Sequence, residues 1–169
     1  QYDKAIEQYN IALELDPDVP EGYLNRGNSY NSKGMNDKAI ADYSKTLKIK
    51  PTYVEAWYNR GNVYLKTGQY DKAISDYTEA LRINGSYASA VNNRGNAHFK
   101  KGDLDKAFMD FTQAIWMEPN YADAYYNRSL VYIAKKEYRK AWEDVQKVLN
   151  LGIKLDPRFV QEVRRLAGK

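Results

Sequence analysis

The sequence of 169 residues lacks cysteine and contains a single histidine, His98. The absence of cysteine excludes disulfide bonds, zinc–thiolate sites, iron–sulfur clusters and cysteine nucleophiles. One histidine excludes a metal site built from several imidazoles of the same chain. No apolar run approaches the roughly 20 residues that cross a bilayer, so we expect no membrane-spanning segment. These absences remove most metal- and thiol-dependent chemistry from consideration.

No other catalytic arrangement replaces the missing groups. Acidic residues are spread singly along the chain, so no pair of carboxylates suggests acid–base catalysis. There is no phosphate-binding loop of the Gly-x-x-x-x-Gly-Lys kind. His98 has no orienting partner or substrate pocket suggested nearby, and we interpret it as a packing residue. We therefore predict a protein with no enzymatic activity, no cofactor and no bound metal.

Charge is nearly balanced, with 26 Lys and Arg against 22 Asp and Glu, a formal charge of +4. The excess lies in residues 135–169, which carry ten basic and five acidic residues. We interpret this segment as a solvated basic end, with an acidic partner docking there as the alternative. Because the rest of the chain has no basic stripe, we expect no nucleic-acid partner.

What the chain has in abundance is tyrosine, 16 residues, and an internal repeat. Asn-Arg-Gly recurs every 34 residues, beginning at Asn25, Asn59 and Asn93. Within each copy, two stretches carry apolar residues at helical spacings, and a glycine or a proline stands where each stretch ends. No segment shows the period-two alternation of a strand. We therefore predict an all-α protein built from antiparallel helix pairs.

The period and the residues resemble the tetratricopeptide repeat. Residues 54–87 are the most complete copy, with Trp57, Gly61, Ala73 and Tyr77 at the family's packing positions. The resemblance implies a right-handed superhelical solenoid with a concave groove that binds proteins or peptides. The departures include Gly85 for a closing proline, Ser129 for a packing glycine and His98 for a packing tyrosine.

We predict a single array over residues 1–169. Residues 1–19 are the second helix of a truncated repeat, residues 20–53, 54–87, 88–121 and 122–155 are full repeats, and residues 156–169 form a capping helix. The cap begins at Asp156 and Pro157, a pair typical of a helix start, and its apolar residues share one face. The start of the chain has no such cap, so the face of Ile6 and Tyr9 lacks one packing partner.

Asparagine recurs at two positions of the first helix, on the side opposite the packing face, in all four full repeats at one position and in three of them at the other. The first Asn ladder is Asn25, Asn59, Asn93 and Asn127, and the second Asn ladder is Asn28, Asn62 and Asn96. Because asparagine is a poor helix former, we expect these side chains to make an interaction, either structural or functional. An amide offers two donors and an acceptor and can hold a peptide backbone. Tyr58 and Tyr126 lie beside the ladders and are predicted to add apolar contact.

An arginine precedes each packing glycine or serine, where the family has a large apolar residue, and an aspartate follows 16 residues later. The pairs are Arg26 with Asp42, Arg60 with Asp76, Arg94 with Asp110, and Arg128 with Asp144. Because a partly buried arginine needs a partner, we predict four structural ion pairs. The alternative is a row of arginines for an anionic ligand.

The resemblance predicts a scaffold that binds a protein or peptide, with an extended peptide held in the groove by the Asn ladders. Family members that clamp the terminal carboxylates of heat-shock chaperones have lysine one residue before the first ladder. This chain has Leu24, Tyr58, Asn92 and Tyr126 there, so a neutral groove that binds backbone fits better.

Two other functions stay open. The face of Ile6 and Tyr9 could pair with a second chain, making a self-assembly module. The truncated first repeat is also compatible with a regulatory arm of a larger multidomain protein. The repeat pattern does not identify the partner. For the compartment, we slightly favour the cytoplasm.

Overall fold

The computed structural model describes residues 2–169, and within them it contains ten α-helices and no strand. The helices are Tyr2–Leu15 (α1), Pro20–Ser32 (α2), Asn36–Ile49 (α3), Val54–Lys66 (α4), Tyr70–Ile83 (α5), Ala88–Lys101 (α6), Leu104–Met117 (α7), Ala122–Ala134 (α8), Tyr138–Asn150 (α9) and Pro157–Leu166 (α10). The all-α prediction is confirmed. None of the helices in this described part of the chain has the length and apolarity that a membrane crossing requires.

The hairpin of α4 and α5 shows why each repeat folds as two helices. Gly68, just after α4, has φ +77°, a left-handed conformation that glycine adopts without steric cost. Asp71 lies in the first turn of α5, where a carboxylate interacts favourably with the helix dipole. Ala73, Tyr77 and Ala80 are buried at spacings of four and three, so one face of α5 packs.

The helices form two compact units, Gln1–Gly85 and Ser86–Lys169. In the first unit, α1 packs on α2, α2 pairs with α3, α3 packs on α4, and α4 pairs with α5. In the second unit, α6 pairs with α7, α7 packs on α8, α8 pairs with α9, and α9 packs on α10. Each unit thus stacks helix pairs so that every pair buries an apolar face against the next.

A buried aromatic ring on the second helix of three repeats meets a glycine on the first helix. Tyr43, Tyr77 and Phe111 are at most 1% exposed. A Cβ atom added at Gly95 would lie 2.7 Å from Cε1 of Phe111, and one at Gly61 would lie 2.9 Å from Cε1 of Tyr77. The helices therefore approach closely because these positions carry no side chain.

Helix α10 closes the second unit against α9. The Asp156 side chain accepts a hydrogen bond of 2.8 Å from the backbone N–H of Arg158, which caps the helix. Val163 is 1% exposed and packs in a cluster with Ala141 and Val145 of α9. This apolar side faces the unit, while the opposite side of α10 is polar and exposed.

The first helix is less covered than its counterparts. Tyr9 is half-buried, whereas Tyr43 and Tyr77 at the corresponding positions are fully buried. Ile11 and Leu15 are 55% and 83% exposed. Ile11 and Leu15 lie on the side of α1 opposite Ile6 and Tyr9. On the face that the sequence marks, Ile6 and Tyr9 are half-buried, so this face is partly accessible.

Lys136 takes the position that Gly34, Gly68 and Gly102 hold in the other repeats, and its φ is +62°. A left-handed conformation costs a non-glycine residue about 1 kcal/mol. We expect Lys136→Gly to raise the free energy of unfolding by about 1 kcal/mol, measured by urea denaturation. The reverse change, Gly102→Lys, should lower the free energy of unfolding by a similar amount. If both variants were as stable as the native chain, this explanation would be wrong.

Candidate functional site

The Asn ladders lie on one side of the first helix of each repeat. In the first unit α2 carries Asn25 and Asn28 and α4 carries Asn59 and Asn62; in the second unit α6 carries Asn93 and Asn96 and α8 carries Asn127. Asn25 is exposed and the others are half-buried. Each of these side chains therefore keeps surface that a ligand can reach.

In the first unit, the second Asn ladder is bonded to the buried tyrosines of the same repeat. The Tyr43 hydroxyl donates to Oδ1 of Asn28 at 2.8 Å, and the Tyr77 hydroxyl donates to Oδ1 of Asn62 at 2.7 Å. Burial raises the pKa of the Tyr43 phenol, so it stays protonated and can donate. These two asparagines thus satisfy hydroxyls inside the protein, a role that the sequence left as an alternative.

Two members of the first Asn ladder donate to a neighbouring asparagine. Nδ2 of Asn59 donates to Oδ1 of Asn28 at 3.0 Å. Nδ2 of Asn127 donates to Oδ1 of Asn92 at 3.0 Å, and Nδ2 of Asn92 donates to Asn93 at 3.3 Å. The ladders are therefore hydrogen-bonded rows inside each unit as well as polar surfaces. Asn92 belongs to these contacts, although its sequence position did not identify it.

Asn96 stands at the second-ladder position of the third repeat, but the residue opposite is Phe111, which has no hydroxyl. Within residues 2–169, its side-chain amide forms no hydrogen bond with protein. Because the side chain is only half-buried, this does not leave a buried polar atom without a partner. The side chain of Asn25 also has no hydrogen-bond partner among the described residues, but this residue is exposed. Asn96 is therefore the half-buried ladder amide whose partner on the second helix is missing.

The two predicted aromatic contact residues are partly engaged inside their units. The Tyr58 ring lies 5.9 Å from that of Tyr77, centroid to centroid. The Tyr126 ring lies 5.5 Å from that of Phe159 on α10, in an edge-to-face arrangement. Both tyrosines remain half-buried, so each offers only part of its ring to a ligand.

The structure brings each predicted arginine–aspartate pair together. In every pair Nε and Nη2 of the arginine donate to the two carboxylate oxygens, at distances from 2.7 to 3.0 Å. The carboxylates are buried and the guanidinium groups are half-buried. Because these donors already bind aspartate, a row of arginines free for an anionic ligand does not fit this geometry.

The remaining guanidinium donor reaches back to the preceding repeat. Nη1 of Arg60 donates to Oγ of Ser44 at 2.8 Å, and Nη1 of Arg26 donates to Oδ1 of Asn10 at 2.8 Å. Nη1 of Arg128 lies 3.4 Å from Oγ1 of Thr112. Sequence reasoning missed this contact, although a small polar residue 16 positions before each arginine was the available signal.

Aromatic rings flank the guanidinium groups of Arg26, Arg60 and Arg128. That of Arg60 lies 4.9 Å from the Trp57 ring and 5.8 Å from the Tyr64 ring. Arg26 and Arg128 lie between two tyrosine rings at 5.5 to 5.9 Å. Such cation–π contacts add to the ion pairs and account for part of the high tyrosine content.

Burial raises the pKa of the Asp76 carboxyl, and the hydrogen bond and charge of Arg60 offset this in part. The pKa of Asp144 is raised by burial in the same way, with Arg128 opposing it. The charged form of each buried carboxylate is therefore stabilised by its arginine.

His98 is packed rather than placed in a cleft. Its side chain is 12% exposed, and Nδ1 lies 3.6 Å from the Asp103 carboxylate, with no hydrogen-bond partner among the described residues. The described part of the chain also holds no cluster of three or more His, Cys, Asp or Glu side chains that could bind a metal ion. The Asn ladders, by contrast, are rows of amide groups that keep accessible surface.

Sequence models of one family match along the chain. A model described as TPR repeat matches residues 1–34, 27–68 and 95–136. Models described as tetratricopeptide repeat match residues 54–87 and 122–157. A comparison with curated proteins finds no match.

Solved structures with similar folds include a crystal structure of MamA, which is 28% identical with a TM-score of 0.85, covering 89% of this chain and 88% of that one. The second TPR domain of human RPAP3, in complex with the HSP70 peptide SGPTIEEVD, is 29% identical with a TM-score of 0.64. That match covers 67% of this chain and 98% of the RPAP3 domain. PilW, a type IV pilus biogenesis factor, is 20% identical with a TM-score of 0.86, over 99% of this chain and 79% of that one, which shows the fold alone.

Proposed function

This chain belongs to the tetratricopeptide repeat family, and we propose that it is a non-enzymatic scaffold that binds an extended peptide segment of a partner protein. The observation that carries the proposal is the pair of Asn ladders. They place amide groups at regular intervals on accessible helix faces, where a peptide backbone needs donors and acceptors.

A neutral ligand backbone suits these faces better than a carboxylate does. Glu21, Glu55 and Asp123 are exposed in the first turns of α2, α4 and α8 and would repel an anion. The RPAP3 domain supports peptide binding by a similar fold, since its structure contains an HSP70 peptide. Leu24 and Tyr58 stand where relatives that clamp a terminal carboxylate have lysine. They favour a ligand segment other than its C-terminal carboxylate.

A library of random twelve-residue peptides with both ends blocked tests this proposal. The library is selected on the immobilised full chain, and the affinities of the selected peptides are measured by fluorescence anisotropy. We expect the triple variant Asn25→Ala/Asn59→Ala/Asn93→Ala to bind them about tenfold more weakly, because two or more hydrogen bonds are lost.

Asn150→Ala is the matched control, since Asn150 is an exposed asparagine at the end of α9, away from the ladders. It should bind the selected peptides as the native chain does, and thermal melts should show that both variants are folded. Equal affinity of all three proteins would move the site away from the first Asn ladder. Selection of no peptide would overturn peptide binding itself.

Self-association is the second candidate function, and the open face of α1 favours it. Ile6 and Tyr9 are half-buried, whereas Tyr43, the counterpart of Tyr9 on α3, is fully buried. A second copy that covers this face would bury apolar area on both chains. Sedimentation velocity across a concentration range tests the idea, and a strict monomer at the highest concentration would remove it.

A further inference from the structure

The turn inside a helix hairpin forms a recess with the end of the helix that comes next in the chain. The α7 recess is lined by residues 102–106 and by Lys135, just after α8. The α9 recess is lined by residues 136–140 and by residues 166–168, at the end of α10. Both recesses lie in the second unit, one 34-residue period apart, so their side chains can be compared position by position.

The α7 recess contains its own carboxylate. Asp105 on α7 forms an ion pair with Lys135, and Asp3 on α1 forms the equivalent pair with Lys33, just after α2. The side chains of the two aspartates are 87% and 80% exposed. The carboxylate of this arrangement therefore lies at the surface, where a group from another molecule can take its place.

The α9 recess lacks this carboxylate and carries positive charge instead. Arg139 stands where α7 has Asp105 and α3 has Asp37. Lys169 stands at the position from which Lys135 pairs with its aspartate. The two positions that form an ion pair in the α7 recess therefore carry two like charges in the α9 recess, which repel each other unless an anion lies between them.

A third cation adds to this charge. Lys136 takes a position that is glycine in the other repeats, in a left-handed conformation that glycine adopts without steric cost. The acidic residue of the turn, Glu137, is already bound to Lys140 at 2.6 Å. Within the part of the chain that the structure describes, Lys136, Arg139 and Lys169 form no ion pair. The recess therefore presents three cations without a counter-charge from these residues.

Apolar surface lies beside the cations. The α9 recess has a volume of about 520 Å³, and the half-buried side chains of Tyr138 and Leu166 line it. A second recess, lined in part by Trp142 and Glu143, shares Arg139 with the first. A ligand at Arg139 can therefore bury apolar side chains on both sides, whereas Glu143 opposes a ligand that is negatively charged throughout. These features suit an acidic peptide better than a nucleic acid.

We propose that the α9 recess binds an acidic segment of a partner protein, whose carboxylate takes the place that Asp105 holds in the α7 recess. Arg139 and Lys169 supply charged N–H donors to that carboxylate, and Lys136 adds attraction at the turn. An apolar side chain next to the carboxylate packs against Tyr138. The residues that line the recess do not belong to the Asn ladders, so this site is independent of the peptide-binding function proposed for them.

The probe is a fluorescent twelve-residue peptide with both ends blocked, in which aspartate and glutamate alternate with leucine and phenylalanine. Its matched control peptide has asparagine for every aspartate and glutamine for every glutamate. Fluorescence anisotropy with the full chain should show that the neutral peptide binds at least about tenfold more weakly, because it offers no charge to the recess.

Arg139→Asp tests the recess itself. The change places a carboxylate opposite Lys169, as in the α7 recess, so it should preserve the fold while filling the site from within. We expect the acidic peptide to bind about tenfold more weakly. Lys48→Asp is the matched control, since it makes the same change of net charge at an exposed position of α3, in the first unit. This control should leave the affinity within about twofold, because solvent and salt screen a distant surface charge.

Lys136→Gly separates binding from folding. It removes one cation from the recess and also relieves the left-handed conformation of the backbone. The affinity for the acidic peptide should therefore fall about threefold while thermal stability rises. Weaker binding by a more stable protein is not a result of unfolding.

The outcomes separate the α9 recess from net charge and from the Asn ladders. A preference for the acidic peptide that Arg139→Asp weakens and Lys48→Asp does not would support the proposal. No loss in Arg139→Asp, an equal loss in Lys48→Asp, or equal affinity for the two peptides would overturn it. Displacement of the peptide by a lower concentration of a twelve-nucleotide oligothymidine would overturn it in favour of a nucleic acid. The Asn ladders are tested by different variants, so peptide binding there stands or falls separately.

Discussion

Replacing Asp76 with asparagine is expected to lower the free energy of unfolding by about 3 kcal/mol in urea denaturation. The Asp76 side chain is 5% exposed and that of Arg60 is 16% exposed. Both donors of the bidentate contact, at 2.7 and 2.9 Å, would lose a charged acceptor. The loss is large because the substitution leaves a guanidinium in a poorly hydrated site without its counter-charge. A variant as stable as the native chain would contradict the structural role of this pair.

In the companion variant Arg60→Leu, the loss of stability should itself depend on pH, in a direction that the pKa of Asp76 sets. Burial raises the pKa of Asp76 and Arg60 opposes that shift, so removing Arg60 leaves the upward shift larger. A carboxyl whose folded-state pKa exceeds its unfolded value contributes stability at low pH, which is lost as pH rises through the folded-state pKa. We therefore expect Arg60→Leu to be less destabilised at about pH 5 than at about pH 7.5, by the same denaturation assay. An equal deficit at both values would show that Asp76 does not stay buried in the variant.

Double replacement separates the pair from its surroundings. Arg60→Leu/Asp76→Ala removes both charges and restores an apolar residue at the position where the family has one. Because replacing a buried ion pair by apolar groups is often close to neutral, the double variant should be more stable than either single variant. Losses that simply add would mean that the two side chains act independently.

Gly95→Val is expected to cost about 3 kcal/mol, at the upper end for overpacking. A Cβ atom at Gly95 would lie 2.7 and 2.9 Å from two carbons of the Phe111 ring and 3.1 Å from Cβ of Asp110. The ring is 1% exposed, so it is enclosed by other protein atoms. Valine also adds two methyl groups beyond that Cβ, so α6 and α7 must separate. Urea denaturation of the full chain measures the loss.

Gly85→Val is the matched control, because the nearest atom to a Cβ there is a backbone oxygen at 3.8 Å. It should change stability by no more than about 0.5 kcal/mol. A second check combines Gly95→Ser with Phe111→Val, which reproduces the residues of the fourth repeat, Ser129 and Val145. The double variant should be more stable than the sum of its single changes predicts. A strictly additive result would contradict the close approach as the cause.

The sequence was sufficient to predict the helix pairs and the arginine–aspartate contacts in outline, because both repeat with a fixed period. Glycine at the turn after α4 and the apolar spacing of α5 each set a local structure that tertiary packing does not override. Arg60 and Asp76 lie 16 residues apart in a hairpin whose geometry recurs, so one inference covered four pairs.

What the sequence did not predict is which polar groups bond to which. Asn28, Asn62 and Asn96 are identical in pattern, and only the opposite ring distinguishes the bonded from the unbonded amide. That distinction depends on a single hydroxyl across two helices. Hydrophobic periodicity does not report on such a group, because tyrosine and phenylalanine fill the same buried position. The hydrogen bond from Nη1 of Arg60 to Ser44 was also missed, although its signal, a small polar residue 16 positions before the arginine, is present in the sequence.

The guanidinium contacts have a consequence for how such a chain can change its length. Arg26 and Arg60 each reach a partner 16 residues ahead, within the repeat, and another 16 residues behind, in the previous repeat. Duplication or deletion of one 34-residue segment would regenerate both contacts at the new junction, wherever the cut falls. An insertion of another length inside one of the two helices would rotate a charged side chain away from its counterpart. The spacing thus makes the whole repeat the smallest segment that can be gained or lost without leaving a buried charge unpaired.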